Sequence, residues 1–290
     1  MEPLAGITVA DLSRYLPGPF ASRELLRLGA RVVKIEPPGG DPVKEAAPGW
    51  YRALNDGKEL LTWDAHSEPP PTVLQQADVV LEGFRPGVWE RLNVELHEAA
   101  ILCSITGFGL DSPRAGQAGH DLNYLGYAGV LADTAPAMPP VQIADLAAGG
   151  QGAVIEVLAA LLERQRTGKG MRIVISMTGG SHRFVAHRAG GDTVPRLLTG
   201  GVACYRIYET ADGRYLTVGA LEPKFWRRLC ELLDLPHLAS RGFEPELPEL
   251  TSLFRTRSLR DWLHLLEHED TCVGPVLTLE EAAAEVSASD

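Results

Sequence analysis

A strand, a helix and a second strand are compressed into the first 36 residues, and that compression sets the architecture. Residues 7–12, Ile-Thr-Val-Ala-Asp-Leu, form an apolar run of strand length. Pro17-Gly18-Pro19 opens a helical pattern through Leu25 and Leu28, which Gly29 stops. Residues 31–36, Arg-Val-Val-Lys-Ile-Glu, read as the next strand, ended by Pro37-Pro38-Gly39-Gly40. A helix between two strands returns the chain to its starting edge, so the strands run parallel. Parallel sheets carry helices on their faces, and the class is therefore α/β.

The rest of the chain extends this unit. Further strands are expected at 59–63, 78–81, 101–106 and 171–177, and the longest helical pattern covers 147–166. Residues 1–195 are read as one large Rossmann-like α/β domain with a doubly wound parallel sheet. Residues 195–201, with Pro195, Gly200 and Gly201, are a candidate linker. Beyond it, β-rich runs at 202–209 and 214–219 flank Thr210-Ala211-Asp212-Gly213, which predicts a hairpin. Helical patterns follow at 222–233 and 258–267, so residues 196–290 form a smaller α+β domain.

The net charge is −11, and the 70 residues from Leu221 carry 7 Lys and Arg against 14 Asp and Glu. Nucleic acids and anionic membranes demand clustered cations, so neither is an expected partner; any phosphate must be met by local groups. Cys103, Cys204, Cys230 and Cys272 show no metal-ligand spacing and are expected to be buried reduced thiols, with no metal. No apolar stretch is expected to reach the ~18 residues of a membrane span. The N-terminus shows neither the basic nor the apolar region of a secretory signal, and the protein is read as cytoplasmic.

The loop after the first strand, Ser13-Arg14-Tyr15-Leu16-Pro17-Gly18-Pro19, lacks GxGxxG, and its two prolines remove backbone donors a pyrophosphate would need. NAD and FAD chemistry is thereby disfavoured, and no Walker loop, GxSxG or HExxH is present. Four single residues carry chemistry. Arg85 follows a strand at its carboxyl end, where it either holds a phosphate or stands solvated. His120 precedes a helix start, near backbone N–H groups suited to a developing anion; Asp121 there is also an ordinary N-cap. Asp145, at an apolar, Gly-containing helix start, suits acid/base or nucleophilic work, or caps the long helix. Glu222 opens a helix of the small domain, where a negative charge is favourable in any case.

Taken together and in order, these segments resemble CoA-transferase family III, and within it the α-methylacyl-CoA racemases. The general signals are the stretch from Leu4 to Pro19, the stretch from Leu28 to Asp41, Leu54-Asn55-Asp56-Gly57-Lys58, the stretch from Ala77 to Gly87, and the stretch from Leu158 to Gly170. The racemase signals are Ala118-Gly119-His120-Asp121-Leu122-Asn123-Tyr124, the stretch from Met138 to Asp145, and Tyr208 to Tyr215 leading to Glu222-Pro223. The resemblance covers residues 4 to about 280. It implies an interlocked homodimer acting on acyl-CoA, with the site between domains of different subunits. It further implies that His120 and Asp145 flank the substrate α-carbon as two bases and that Glu222 pairs with the histidine. Arg85, Gly119 and Tyr124 match positions along the CoA channel, and the Asp121 backbone N–H matches an oxyanion donor.

The chemistry implied needs no cofactor, because a carbon acid beside a thioester can be deprotonated on one face and reprotonated on the other. A family III CoA-transferase with Asp145 as nucleophile, or a shortened non-catalytic CoA-binding relative, are the alternatives. Four departures from the family stand out, one of them Thr178-Gly179-Gly180 after the strand at 171–177, where the family usually has acidic residues both in the strand and after it. Residues 64–77, with Pro69-Pro70-Pro71, are shorter than the usual helix, and Lys34-Ile35-Glu36-Pro37 stands where relatives place a nucleotide-binding arginine. After Leu279 the family's segment returning to the large domain is expected to be missing.

Overall fold

The computed structural model describes residues 2–191, 193–194, 196–266 and 268–289. It divides into two compact units, residues 1–189 and 190–290, so the boundary lies six residues before the expected one. Pro195, at the start of the expected linker, lies outside the described residues.

The large unit opens with β1 (Thr8–Asp11), α1 (Pro17–Arg27) and β2 (Arg31–Glu36), as the first 36 residues require. Short helices α2 (Val43–Ala46) and α3 (Pro48–Asn55) then lead to β3 (Glu59–Thr62). A single turn, α4 (Thr72–Gln75), precedes β4 (Val79–Glu82); α5 (Val88–Leu92) precedes β5 (Ile101–Thr106). Helix α6 (Asp121–Ala128) is followed by a π-helical turn (Ala144–Gln151) that continues into α7 (Gly152–Thr167), β6 (Met171–Ser176) and α8 (Met177–Val185). The six strands are all parallel in the order β3-β2-β1-β4-β5-β6. Successive connections leave β1 in opposite directions, which places the switch point between β1 and β4.

Strand alternation builds two apolar layers. Val9, Val32, Val79, Ile101 and Cys103 face the core under α1 and α7. Their neighbours Ala10, Val33, Val80 and Leu102 face the opposite layer, with Trp63, Leu74 and Trp89.

Four expectations are corrected. The sixth strand stops at Ser176, one residue before its expected end; the Ser176 hydroxyl accepts the Gly179 N–H at 3.1 Å and so starts α8 at Met177. The long helix begins at Ala144, so Asp145 lies inside the first turn and Ile143 occupies the capping position. That continuous helix, Ala144–Thr167, is long and apolar enough to span a membrane by length and composition, contrary to expectation. Its alanines and glycines raise its apolarity, and they are what close packing on a sheet requires: Ala153, Val157, Ala160 and Leu161 are buried. Finally, Cys103, Cys204 and Cys230 are buried, but Cys272 is exposed, at a left-handed backbone position (φ 53°) beside the last strand of the small unit.

The small unit holds the hairpin β7 (Tyr205–Glu209) and β8 (Tyr215–Gly219), with β9 (Val273–Pro275) on the far side of β8. Gly213 takes φ 71° in the hairpin turn, which explains the Asp-Gly signal. Helices α9 (Pro223–Leu232), α10 (Pro248–Phe254), α11 (Leu259–Leu266) and α12 (Leu279–Ser289) complete it. Its core is rich in leucine around Tyr208, Trp226, Phe254 and Trp262, and both buried indoles are satisfied: Trp226 donates to Leu238 O at 2.9 Å and Trp262 to Phe254 O at 2.8 Å.

Candidate active site

The carboxyl ends of β1, β4 and β5 are where a sheet of this order binds ligands. Beneath the β1 end lies a buried ionic network. Lys58 donates to Pro19 O (2.9 Å), Ser22 Oγ (2.7 Å) and Asn55 Oδ1 (2.9 Å), and sits 3.4 Å from Asp11 Oδ2. Burial pushes its ammonium down to about 8 although Asp11 opposes the shift. Burial works against the Asp11 charge too, but Lys34, Lys58 and the Ser13 and Ser22 hydroxyls outweigh it and hold the carboxyl below its usual range. Lys34 is fully buried, donates to Ser13 O at 2.7 Å and pairs with Asp41 at 3.4 Å. The lysine that stands in place of the family's arginine therefore braces the β1–α1 loop from below.

That loop and the start of α1 support the π-helical turn. A Cβ on Gly150 would stand 2.6 Å from Phe20 Cδ1 and 3.1 Å from Pro17 O. A Cβ on Gly149 would meet the Met177 side chain and Pro17 Cβ at 3.0–3.1 Å. The glycine pair lets the turn sit against both α1 and α8, which ordinary residues could not do. Asp145 is half-buried in the turn, after the buried Ala144. Burial first, and the charge of Asp121 second, push its carboxyl up to about 7.

His120 caps α6 with an extended backbone, and Asp121 is the first helical residue, one place later than a cap. Asn123 Oδ1 accepts the His120 N–H at 3.1 Å, which leaves the amides of Asp121 and Leu122 as the open donors of the first turn. The imidazole is exposed. Asp121 Oδ1 accepts the Asp145 N–H at 2.9 Å, and this bond brings the His120 and Asp145 segments together.

Tyr124 is buried and its hydroxyl donates to Gly119 O. Its ring lies against Gly107 and Gly119, where any Cβ would collide with it. Phe108 packs edge-on against it at 5.2 Å. Tyr124 thus pins the loop before His120, and the nearby Asp145 charge adds to burial in raising its phenol. Arg85 donates to Gly116 O (3.3 Å) and Gln117 O (2.7 Å), tying the β4 loop to that same segment. It also lines a cavity of about 210 Å³ with Glu82, Phe84, Trp89, Leu110 and Arg172. Arg85, Gly119, His120, Asp121, Tyr124 and Asp145 therefore all belong to one end of the large unit. Glu222 belongs to the small unit, exposed at the capping position of α9, with the Cys272 thiol close enough to feel its charge.

The model of CoA-transferase family III matches residues 4–289. The chain belongs to that family. Family III members similar to it include human α-methylacyl-CoA racemase, 34% identical over 96% of this chain and 78% of the human protein. Human succinyl-CoA:glutarate CoA-transferase is 28% identical over 98% of this chain and 74% of that protein. Among solved structures, a CAIB/BAIF family protein from Brucella suis superposes with a TM-score of 0.82 at 28% identity, covering 99% of this chain and 87% of that one.

Two features of this family III site escaped the sequence reading. The Asp121 carboxylate joins two segments 24 residues apart, and no local pattern announces such a bond. The Lys58 network was present in the sequence only as the family signal Leu54-Asn55-Asp56-Gly57-Lys58; nothing local shows that the fold buries Lys58 and Asn55 together.

Proposed function

We propose that this chain is an acyl-CoA isomerase that epimerises the α-carbon of a 2-methylacyl-CoA by proton transfer between His120 and Asp145. The observation that carries the reading is the Asp145 carboxyl, raised to about 7. An ordinary imidazole titrates near ~6.5, so a carboxyl in that range can trade one proton with it at little free-energy cost. In one direction the carboxylate removes the α-proton and the imidazolium returns one to the other face; in the reverse the neutral imidazole is the base. Glu222 of the small unit would orient the imidazole and stabilise its cation. The Asp121 amide would hold the enolate oxygen, a donor of a type worth about 2.7–4 kcal/mol. Arg85, Gly119 and Tyr124 would line the CoA arm, whose remote binding energy orients the acyl carbon. Proton transfer of this kind calls on no cofactor.

The similarity to a named racemase supports this reading, and the similarity to named CoA-transferases supports a second. There, Asp145 attacks the thioester, forming an acyl anhydride and releasing the CoA thiolate. Both readings use the ionised Asp145 carboxylate, but only proton transfer also uses its protonated form, which a carboxyl pushed up to about 7 supplies. NMR observation of α-proton exchange in D2O, with a 2-methylacyl-CoA and with or without a carboxylic acid acceptor, separates them. Exchange without transfer is expected; transfer without exchange replaces the isomerase with the transferase.

A further inference from the structure

Two carboxylates meet at the candidate site, and only one of them is accounted for by proton transfer. Asp121 Oδ1 accepts the backbone N–H of Asp145 at 2.9 Å across 24 residues of sequence. The amide of Asp145 lies in the first turn of a π-helix, where backbone donors lack an intrahelical acceptor. The next amide, Leu146, already reaches Gln142 O at 2.9 Å, so Asp121 supplies from outside what the helix cannot supply for Asp145. Asp121 is also the residue directly after His120, on the first turn of α6. Any shift of its side chain is therefore a shift of the two proton-transfer segments relative to one another.

From this geometry we infer that the Asp121 side chain is a positioning residue, clamping the Asp145 turn to the His120 end of α6 and keeping a fixed negative charge beside Asp145. The inference rests on the isomerase reading for its catalytic meaning, but not for its structural content. The division of charge follows from surroundings. Asp121 opens α6, and its charge is the second cause, after burial, that raises the Asp145 carboxyl. Asp145 also stands in a first helical turn, but in the packed alanine and glycine turn burial prevails and raises its carboxyl to about 7. Against the glycines of the turn, α1 presents Pro17 and Phe20 and α8 presents Met177, and the causes acting on the Asp145 carboxyl are burial and the Asp121 charge. His182 of α8 is turned to Ala128 O at 3.1 Å, and the neighbouring Tyr124 phenol is itself held protonated by burial and by Asp145. Burial first and the Asp121 charge second thus raise the carboxyl of a residue that is only half-buried.

Two variants separate the clamp from the charge. Asp121→Asn keeps an oxygen acceptor and removes the charge; Asp121→Ala removes both. The first readout is the titration of the Asp145 carboxyl by NMR with ¹³C-labelled aspartate, in the full chain without substrate, assigned with Asp145→Asn. The second is hydrogen exchange of the Asp145 amide. In Asp121→Asn the Asp145 midpoint is expected to fall part of the way toward the ordinary carboxylate range, since burial remains, with the amide still protected. In Asp121→Ala the midpoint is expected to fall and the amide to lose protection by tenfold or more. If substrate turnover is followed in parallel, the acidic limb of its pH profile should move down in Asp121→Asn with kcat affected more than KM. An Asp145 midpoint unchanged in Asp121→Asn, or an amide equally protected in Asp121→Ala, overturns the inference. Should Asp121→Ala fail to fold, the Asp121→Asn midpoint alone decides. If both NMR readouts move as expected while the native protein exchanges no α-proton, the clamp stands and the isomerase reading is what fails.

Discussion

At the residue scale, the proposed bases make opposite stereochemical demands. Removing the imidazole in His120→Ala should abolish interconversion of the two epimers, a loss of about 10²–10⁴-fold, while one epimer still exchanges its proton through Asp145. Asp145→Ala should leave exchange of the other epimer. Glu222→Gln should cost less than either, about 10–100-fold, since it orients a base and transfers nothing. Chiral analysis of each epimer after incubation in D2O checks all three; full racemisation by His120→Ala would remove the two-base mechanism. Asp145 also carries a stability signature. Its folded-state carboxyl titrates near 7 against about 3.9 unfolded, so between those values the native chain holds a proton the unfolded chain has released. Stability from this site therefore falls as pH rises from about 4 to 7. Asp145→Asn should raise Tm relative to the native protein above pH 7 and lose that advantage near pH 4, as thermal unfolding at several pH values would reveal. His120, Asp145 and Glu222 stood out in the sequence by residue type and by their place at helix starts. Asp121's side chain did not, because its role is a contact between distant segments and leaves no local periodicity.

At the scale of elements, the strands of the parallel sheet were legible because each is a short apolar run bounded by Gly, Pro or a polar turn. The short helices α2 to α5 and α10 were not; four to eight residues are too few for a 3.6-residue pattern to rise above chance. The π-helical turn was also hidden, since its glycines serve packing against α1 and α8 more than they mark a boundary. Gly150→Ala puts this to the test: the new methyl would meet Phe20 and a backbone carbonyl, and should cost about 1–3 kcal/mol and displace Asp145. Gly149→Ala should cost less, because the Met177 side chain can swing away. Equal Tm values for the two variants would contradict that packing argument. Below the same turn, Lys58→Met would leave Asp11 buried without one of its cations and should cost about 3–5 kcal/mol, read as a fall in Tm at neutral pH. Because Asp11 is held below its usual range, its contribution is present above about pH 4 and is lost as pH falls through its folded value. The penalty of Lys58→Met should accordingly shrink in acid.

At the scale of the whole molecule, two compact units account for every apolar cluster, yet the large unit leaves apolar side chains outside. Ile155 and Leu162, one heptad apart on α7, are each 65% exposed, and Met138, Val141 and Phe184 are between 48% and 69% exposed. A helix whose inner face packs on a sheet normally turns a polar face outward, and α7 does so only in part, with Glu156 and Glu163 beside those residues. A helix that turns large apolar side chains outward in this way is suited to a surface that another molecule covers. We propose that the cover is a second copy of the chain, joined as the family resemblance implies, and that Glu222 reaches the His120 end of the large unit within that assembly. An interlocked pair would bury about 2,000–5,000 Å2, and folding of one copy would be inseparable from association. Sedimentation equilibrium should then return twice 31.3 kDa at micromolar concentration, with Tm rising as the protein is concentrated. Ile155→Glu with Leu162→Glu should weaken the pair, because two carboxylates would be driven into an apolar contact. If the native chain sediments as a compact, folded monomer that still exchanges α-protons, the proposal of an obligate pair fails, whatever Glu222→Gln then does to the rate.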